Sequence, residues 1–152
     1  MTRTQDSLAG YEIVVGVTGG IAAYKTCTVV SALAARGCGV SVIMTDPATR
    51  LVGPPTFAAL SGRKVHTDLF ADPRQWEMDH ISLADLADAM LIAPATANVL
   101  GKIANGIADD LLTTTAITVD FPLLLAPAMN TRMWANPAVQ ENVRKLRERA
   151  SS

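Results

Sequence analysis

Two histidines and a handful of small, hydrogen-bonding residues carry most of the reactive potential of this sequence. His80 lies in "EMDHISLADLADAML" beside Asp79. Imidazole is the side chain whose unperturbed proton affinity falls near neutrality, so His80 is a candidate base if it faces a crevice, and a surface or capping residue if it does not. His66, in "RKVHTDLF", has no comparable company and reads as structural or exposed. In "TGGIAAYK" two glycines, Gly19 and Gly20, stand before Ile21 and a helical pattern. Such glycines let backbone approach a ligand, and the helix start offers N–H groups and a positive dipole end to an anion such as phosphate. The same residues also fit a plain tight turn. Thr45, after "VSVIM", fits a helix cap or a hydroxyl partner for that phosphate. In "PATAN", Ala95, Thr96 and Ala97 leave room for something flat, while Thr96 and Asn98 supply hydrogen bonds or a cap. Finally, "LLLAPAMNTRMWANP" places Met129, Asn130, Met133 and Trp134 within six positions at the end of an apolar run.

Each of these clusters needs an element to hold it. "EIVVGV", "GVSVIMT", "ADAMLIAPAT" and "FPLLLAP" are short apolar runs without polar alternation, the pattern of strands buried on both faces. Between them come helical patterns. "IAAYKTCTVVSALAARG" has apolar residues three and four apart and Gly37 as a stop. "DPATRLVG" and "PPTFAALSG" read as two short helical pieces, and "ANVLGKIANGIADDLLTTTAI" as two segments split near Gly106 with Asp109 or Asp110 starting the second. "NPAVQENVRKLRER" reads as an amphipathic helix with Val139, Val143 and Leu146 on one face. "RKVHTDLFADPRQWEMDH" is mixed and reads as a long functional loop. Strands alternating with helices predict an α/β fold, a Rossmann-like (flavodoxin-like) three-layer α/β/α arrangement with a doubly wound parallel sheet. In that architecture ligands lie beyond the carboxyl ends of the strands, which is where four of the clusters fall.

The totals exclude several classes. The chain has 152 residues, about one domain. We read residues 1–10 as a loose N-terminal arm and 11–152 as a single domain. Apolar residues make up 49% and aromatics 5%, which suits close-packed helices on a sheet. A net charge of −1 without a dense Lys/Arg cluster argues against a nucleic-acid or membrane-surface partner. No apolar run approaches the roughly 20 residues of a transmembrane helix. Cys27 and Cys38 have neither CxxC spacing nor histidine companions, so we expect reduced thiols, a cytoplasmic protein and no metal site.

A phosphate at one strand exit and a flat ring at another describe the shape of FMN. The spacing of Gly16, Gly19 and Gly20 is wrong for the dinucleotide fingerprint, so NAD is not expected. Taken together, "GVTGGIAAYK", "DHISLADLADAMLIAPATANVLGKIANGIADDLLTTTAI" and "PLLLAPAMNTRMWANPAVQENVRKL" resemble the flavin-dependent cysteine decarboxylases, in particular the branch that acts on phosphopantothenoylcysteine in coenzyme A biosynthesis. The likeness covers nearly all of residues 11–147.

The resemblance implies FMN bound at a subunit interface of a homotrimer, sometimes assembled into a dodecamer. It assigns Gly19, Gly20, Ile21 and Thr45 to the phosphate end, and Thr96, Ala97 and Met129 to the cofactor. It makes His80 the active-site histidine and Asn130, with Met133 beside it, the grip on the substrate, with Trp134 packing nearby. It also implies a reducing cysteine on a substrate-covering loop well after "PAMN". Neither Cys27 nor Cys38 matches that position, and the sequence stops at Ser152, so we expect that loop to lie outside it. Leu51 departs from the phenylalanine of many relatives. Two other readings stay open: oxidative decarboxylation of a C-terminal peptide cysteine to an enethiol, and a non-catalytic FMN-binding or regulatory subunit.

Overall fold

The computed structural model describes residues 7–68 and 72–150. The strands are β1 (Glu12–Val17), β2 (Gly39–Met44), β3 (His66–Thr67), β4 (Ala89–Ala95) and β5 (Leu123–Pro127). The helices are α1 (Ala23–Ala35), α2 (Asp46–Thr49), α3 (Pro54–Ser61), α4 (Pro73–Leu86), α5 (Ala97–Ala104), α6 (Leu111–Thr118), α7 (Thr131–Ala135) and α8 (Pro137–Ala150). The strands form one sheet in the order β3-β2-β1-β4-β5, and every pairing is parallel. This is the doubly wound α/β architecture expected from the alternation of patterns, with the order reversing at β1.

Side chains alternate across each strand, so the apolar runs feed two cores. Val15, Val17, Val40, Val42 and Met44 face α1–α3, meeting Ala23, Val30, Ala48 and Phe57. Val14, Ile43, Met90 and Ile92 face the other way, onto Leu100, Ile103, Leu111, Leu112 and Val143. Among the described residues, Phe57 is the largest fully buried side chain. Phe57→Ala leaves a cavity that α3, stopped by the left-handed Gly62, cannot close. We expect a loss of about 3–5 kcal/mol, read as a lower midpoint in thermal unfolding followed by circular dichroism. A midpoint within a degree or so of the parent would remove Phe57 from the core.

The helix stops and starts have local causes. α1 ends at Arg36, and Gly37 takes φ +86°, a conformation that favours glycine. Asp110 starts α6 with a capping box: its carboxylate accepts from the Thr113 N–H at 2.7 Å, and the Thr113 hydroxyl accepts from the Asp110 N–H.

Two expectations are corrected. The stretch from Arg63 to His80 is not a long loop. It holds the two-residue strand β3 and the fourteen-residue helix α4, begun by Asp72 capping the Arg74 N–H and by Pro73. A strand of two residues is too short for periodicity to show, and α4 has a weak apolar stripe. His80 therefore sits in mid-helix. Of the N-terminal arm, residues 1–6 lie outside the described residues. Leu8 donates its N–H to the Arg36 carbonyl and packs on the core. Among the described residues, no helix is long and apolar enough to cross a membrane.

Candidate cofactor and substrate site

The strand exits are sewn into one rim. At the end of β1, Thr18 is fully buried. Its hydroxyl donates to the Pro94 carbonyl and accepts the Thr96 N–H at 3.2 Å, so one side chain joins the β1 and β4 exits. Thr26 of α1 adds a second stitch, donating to the Ala93 carbonyl at 2.7 Å. The Thr45 N–H donates to the Val17 carbonyl and the Ala128 N–H to the Ala95 carbonyl, which bring in β2 and β5.

Gly19 and Gly20 lie between two prolines in this rim. A Cβ on Gly19 would sit 2.5 Å from Pro47 Cβ, and one on Gly20 would sit 3.2 Å from Pro94 Cγ. A side chain on Gly19 requires Pro47 or the loop to shift, and one on Gly20 would be tight against Pro94. Directly behind them α1 starts at Ala22 with no side-chain cap and no acidic residue in its first turn. By contrast α4, α5, α6 and α7 all begin with a side chain satisfying a backbone N–H. At this start the Ala23 and Lys25 N–H groups turn back onto the Gly20 and Ala22 carbonyls, and the positive dipole end of a thirteen-residue helix is left with no acidic side chain to balance it. A phosphate group fits that need.

Thr45 occupies the N-cap of α2 but does not cap it; its hydroxyl lies 3.5 Å from the Val17 carbonyl. Of the two roles read for it, the side-chain cap is the one the structure removes. Thr96 does cap α5, accepting the Val99 N–H at 3.3 Å, and Asn98 is exposed beyond it. Ala97 is half-buried at the same exit. Ile21, Met133 and Trp134 are exposed, and Met129 packs against the core from the β5 side.

Asn130 is the N-cap of α7. Its Oδ1 accepts the Met133 N–H at 2.9 Å. With the oxygen engaged, the amide nitrogen is the atom left to face a ligand, and it is a donor only. An exposed donor set at a rim suits a carboxylate. Trp134 is placed differently from expectation: its ring borders a cavity of about 220 Å³ with Leu100, Leu125, Pro127, Val143 and Leu146. It flanks β5 instead of closing over the rim.

His80 lies on α4, which packs against α6. It lies on the half-buried stripe with Leu83, Ala84 and Ala87. The hydrogen bonds that tie the other predicted residues to the rim come from the strand exits; His80 is carried by a separate element. Of the two readings of His66, structural or exposed, the structure supports the first: its Nδ1 lies 3.1 Å from Asp79 Oδ2. Burial works against ionisation of Asp79, but hydrogen bonds from Gln75 and His66, helped by the charges of His66 and Lys64, outweigh it and hold its carboxyl below the usual range. Thr18 was missed as a site residue; "VTGG" shows a hydroxyl at the exit but not its partners, 76 and 78 residues away.

The whole chain, residues 1–152, matches the model of the family described as Flavoprotein. This chain belongs to the Flavoprotein family. As a member it is 52% identical, over 130 residues, to the coenzyme A biosynthesis bifunctional protein CoaBC of Bacillus subtilis, covering 86% of this chain and 32% of the relative. It is likewise 52% identical, over 139 residues, to the CoaBC protein of Mycolicibacterium smegmatis, covering 91% of this chain and 33% of the relative. The chain thus spans about a third of the curated relatives it matches. Among solved structures, the FMN-dependent cysteine decarboxylase SpaF superposes with a TM-score of 0.84 at 38% identity, covering 94% of this chain and 82% of the other. A cysteine-to-serine mutant of PPC decarboxylase complexed with pantothenoylaminoethenethiol gives 0.75 at 30% identity, covering 91% and 78%. The parallel sheet places the glycine-rich exit, the start of α1 and the asparagine-led exit at the same, carboxyl-terminal end of the strands.

Proposed function

We propose that this domain binds FMN and decarboxylates 4'-phosphopantothenoylcysteine toward 4'-phosphopantetheine, a step of coenzyme A biosynthesis. The observation that carries the reading is the rim: a helix start without a side-chain cap behind two closely hemmed glycines, stitched by Thr18 to the exit that leads on to Asn130. The 52% identity to the CoaBC proteins points to the same substrate.

The residues present fit FMN. The α1 start and the Gly19–Gly20 backbone would hold its phosphate, with Ile21 and Thr45 beside it. Thr96, Ala97 and Met129 would border the flavin. Bound FMN supplies a hydride acceptor for Cβ of the substrate's cysteine, the oxidation that makes the carboxylate able to leave as carbon dioxide. The chain's own work is to hold the substrate and move its protons. His80 is the base for the thiol proton. The Asn130 amide donates to the carboxylate and aligns it, with Met133 alongside. Cys38 does not serve as an acid here: it is buried and donates to the Tyr11 carbonyl, at the amino-terminal end of β1, away from the rim. We further propose a homotrimer, possible unit of a dodecamer, working in the cytoplasm; exposed Ile21 and Tyr24 beside the rim favour a site completed by a second copy.

Asn130→Asp tests the substrate grip. Aspartate caps a helix as well as asparagine does, so α7 is kept. The donor becomes a second negative charge facing a carboxylate. We expect kcat/KM to fall on the order of 100-fold, with flavin content unchanged. Undiminished turnover would take Asn130 out of the site.

The deciding experiment is a visible spectrum of the purified protein, then anaerobic addition of phosphopantothenoylcysteine with mass detection of the product. Flavin absorbance with phosphopantetheine formed supports the reading. A protein that takes up no FMN sinks it. The likeness to the solved peptidyl-cysteine decarboxylase EpiD, TM-score 0.78 at 25% identity, favours a second reading, oxidative decarboxylation of a peptide's C-terminal cysteine. Turnover of such a peptide with none of phosphopantothenoylcysteine would select it.

A further inference from the structure

We propose that His66 is a positioning residue: through the Asp79 carboxylate it fixes the rotation of α4 and so the direction in which His80 points. The inference rests on the reading above, in which His80 moves the substrate's thiol proton.

The reason lies in how α4 is attached. None of its described side chains is fully buried. Leu83 and the following Ala87 reach the core only in part. Beneath the helix, against β1 and β2, is a cavity of about 420 Å³ lined in part by Val14, Ser41, His66, Asp79 and Leu83. Interiors normally hold their elements by close packing. Here the cavity interrupts that packing on the sheet side, leaving α6 as the main neighbour of α4.

A polar link replaces it. Asp79 Oδ2 meets His66 Nδ1 at 3.1 Å, and Asp79 Oδ1 accepts from Gln75 Nε2 at 2.8 Å, so both carboxylate oxygens are engaged. The His66 and Asp79 side chains are about four-fifths shielded from solvent. His66 is itself anchored. It pairs with Ile43 in the sheet, and two residues later Asp68 accepts the Leu111 N–H at the start of α6, the helix on which α4 packs. The fixed end of the link is therefore the sheet and the movable end is the helix. Successive residues on a helix point about 100° apart. Pinning Asp79 toward β3 thus sets the angle of His80, the next residue.

The test uses the full chain with FMN and four variants: His66→Ala, His66→Asn, His80→Asn, and His66→Ala with His80→Asn. Loss of the link should misplace the base without touching the substrate grip, so His66→Ala should lower kcat about 10- to 100-fold and leave KM unchanged. His66→Asn keeps an N–H donor for Asp79 and should recover most of the rate. With His80 already replaced, His66→Ala should have no further effect. Because the chain has only two histidines, the His80 ring signals can be assigned by substitution in the NMR spectrum of the FMN-loaded protein. They should move in His66→Ala and return in His66→Asn, a readout independent of turnover. An unchanged kcat and unmoved ring signals in His66→Ala, while His80→Asn is inert, would overturn the link alone. An equal loss from His66→Ala with and without His80 would also overturn it. Full turnover by His80→Asn would instead overturn the role of His80, and the inference with it.

Discussion

Gly19→Ala should purify colourless. The added methyl would lie 2.5 Å from Pro47 Cβ and 3.4 Å from the Pro47 carbonyl carbon. Pro47 cannot yield by changing rotamer, because its ring is tied to the backbone in the first turn of α2. Either α2 or the glycine loop must shift. Gly20 closes the opposite side, with Pro94 against it. The loop therefore moves out of line with the start of α1, where the phosphate is proposed to bind. Overpacking of this kind costs about 1–3 kcal/mol, which a core of this size survives, while FMN affinity falls at least about 100-fold because each N–H donor misses the anion. The check is flavin absorbance per chain after gel filtration, with circular dichroism to establish folding. Gly53→Ala is the control, since its nearest neighbour, Pro55 Cδ, is at an ordinary 3.6 Å. A yellow Gly19→Ala protein with parental flavin content would disprove the cradle.

The second large effect separates chemistry from binding. His80→Asn should keep its colour and lose its turnover. His80 sits on α4, while the groups assigned to the FMN phosphate sit on the β1 and β2 exits, so replacing it leaves the α1 start and the two glycines as they are. Asparagine is close in size to the near half of the imidazole and keeps a polar group at a half-buried position. What disappears is the imidazole assigned to take the thiol proton. Removing a general base costs about 100- to 10,000-fold. Stopped-flow mixing with phosphopantothenoylcysteine under argon, following flavin bleaching, measures this directly. Bleaching at the parental rate would refute the assignment of His80. Loss of flavin from the variant would show that the histidine serves binding instead.

Much of this architecture was legible because it is written in long apolar stretches. Four of the five strands are such runs, and parallel pairing follows from strands that are apolar on both faces. β3 was not legible: two residues, His66 and Thr67, carry no period. α4 was missed for a different reason. Its stripe is thin, yet Asp72 followed by Pro73 is a helix-start signal that was there to be used. The candidate site divides the same way. Glycines at a strand exit and asparagine after an apolar run announce themselves locally. The bonds of Thr18 to Pro94 and Thr96, and of His66 to Asp79, join segments that only the fold makes neighbours. Trp134 shows the converse limit: its proximity to Asn130 in sequence suggested a shared task, but α7 turns it toward Leu100 and Val143.

The Thr18 stitch has a consequence for how the rim behaves in time. The Thr96 amide belongs to a surface turn, yet its proton is bonded to a hydroxyl with no exposure to solvent. That contact lies beyond the last β1–β4 pair, Gly16 with Ile92, so it extends the tie between the two strands past the end of the ladder. Turns ordinarily exchange from shallow local openings, and we expect the Thr96 amide to exchange more slowly than an unbonded turn amide. A ligand arriving at the rim then meets a surface with part of its ordering already done, and less conformational entropy left to lose.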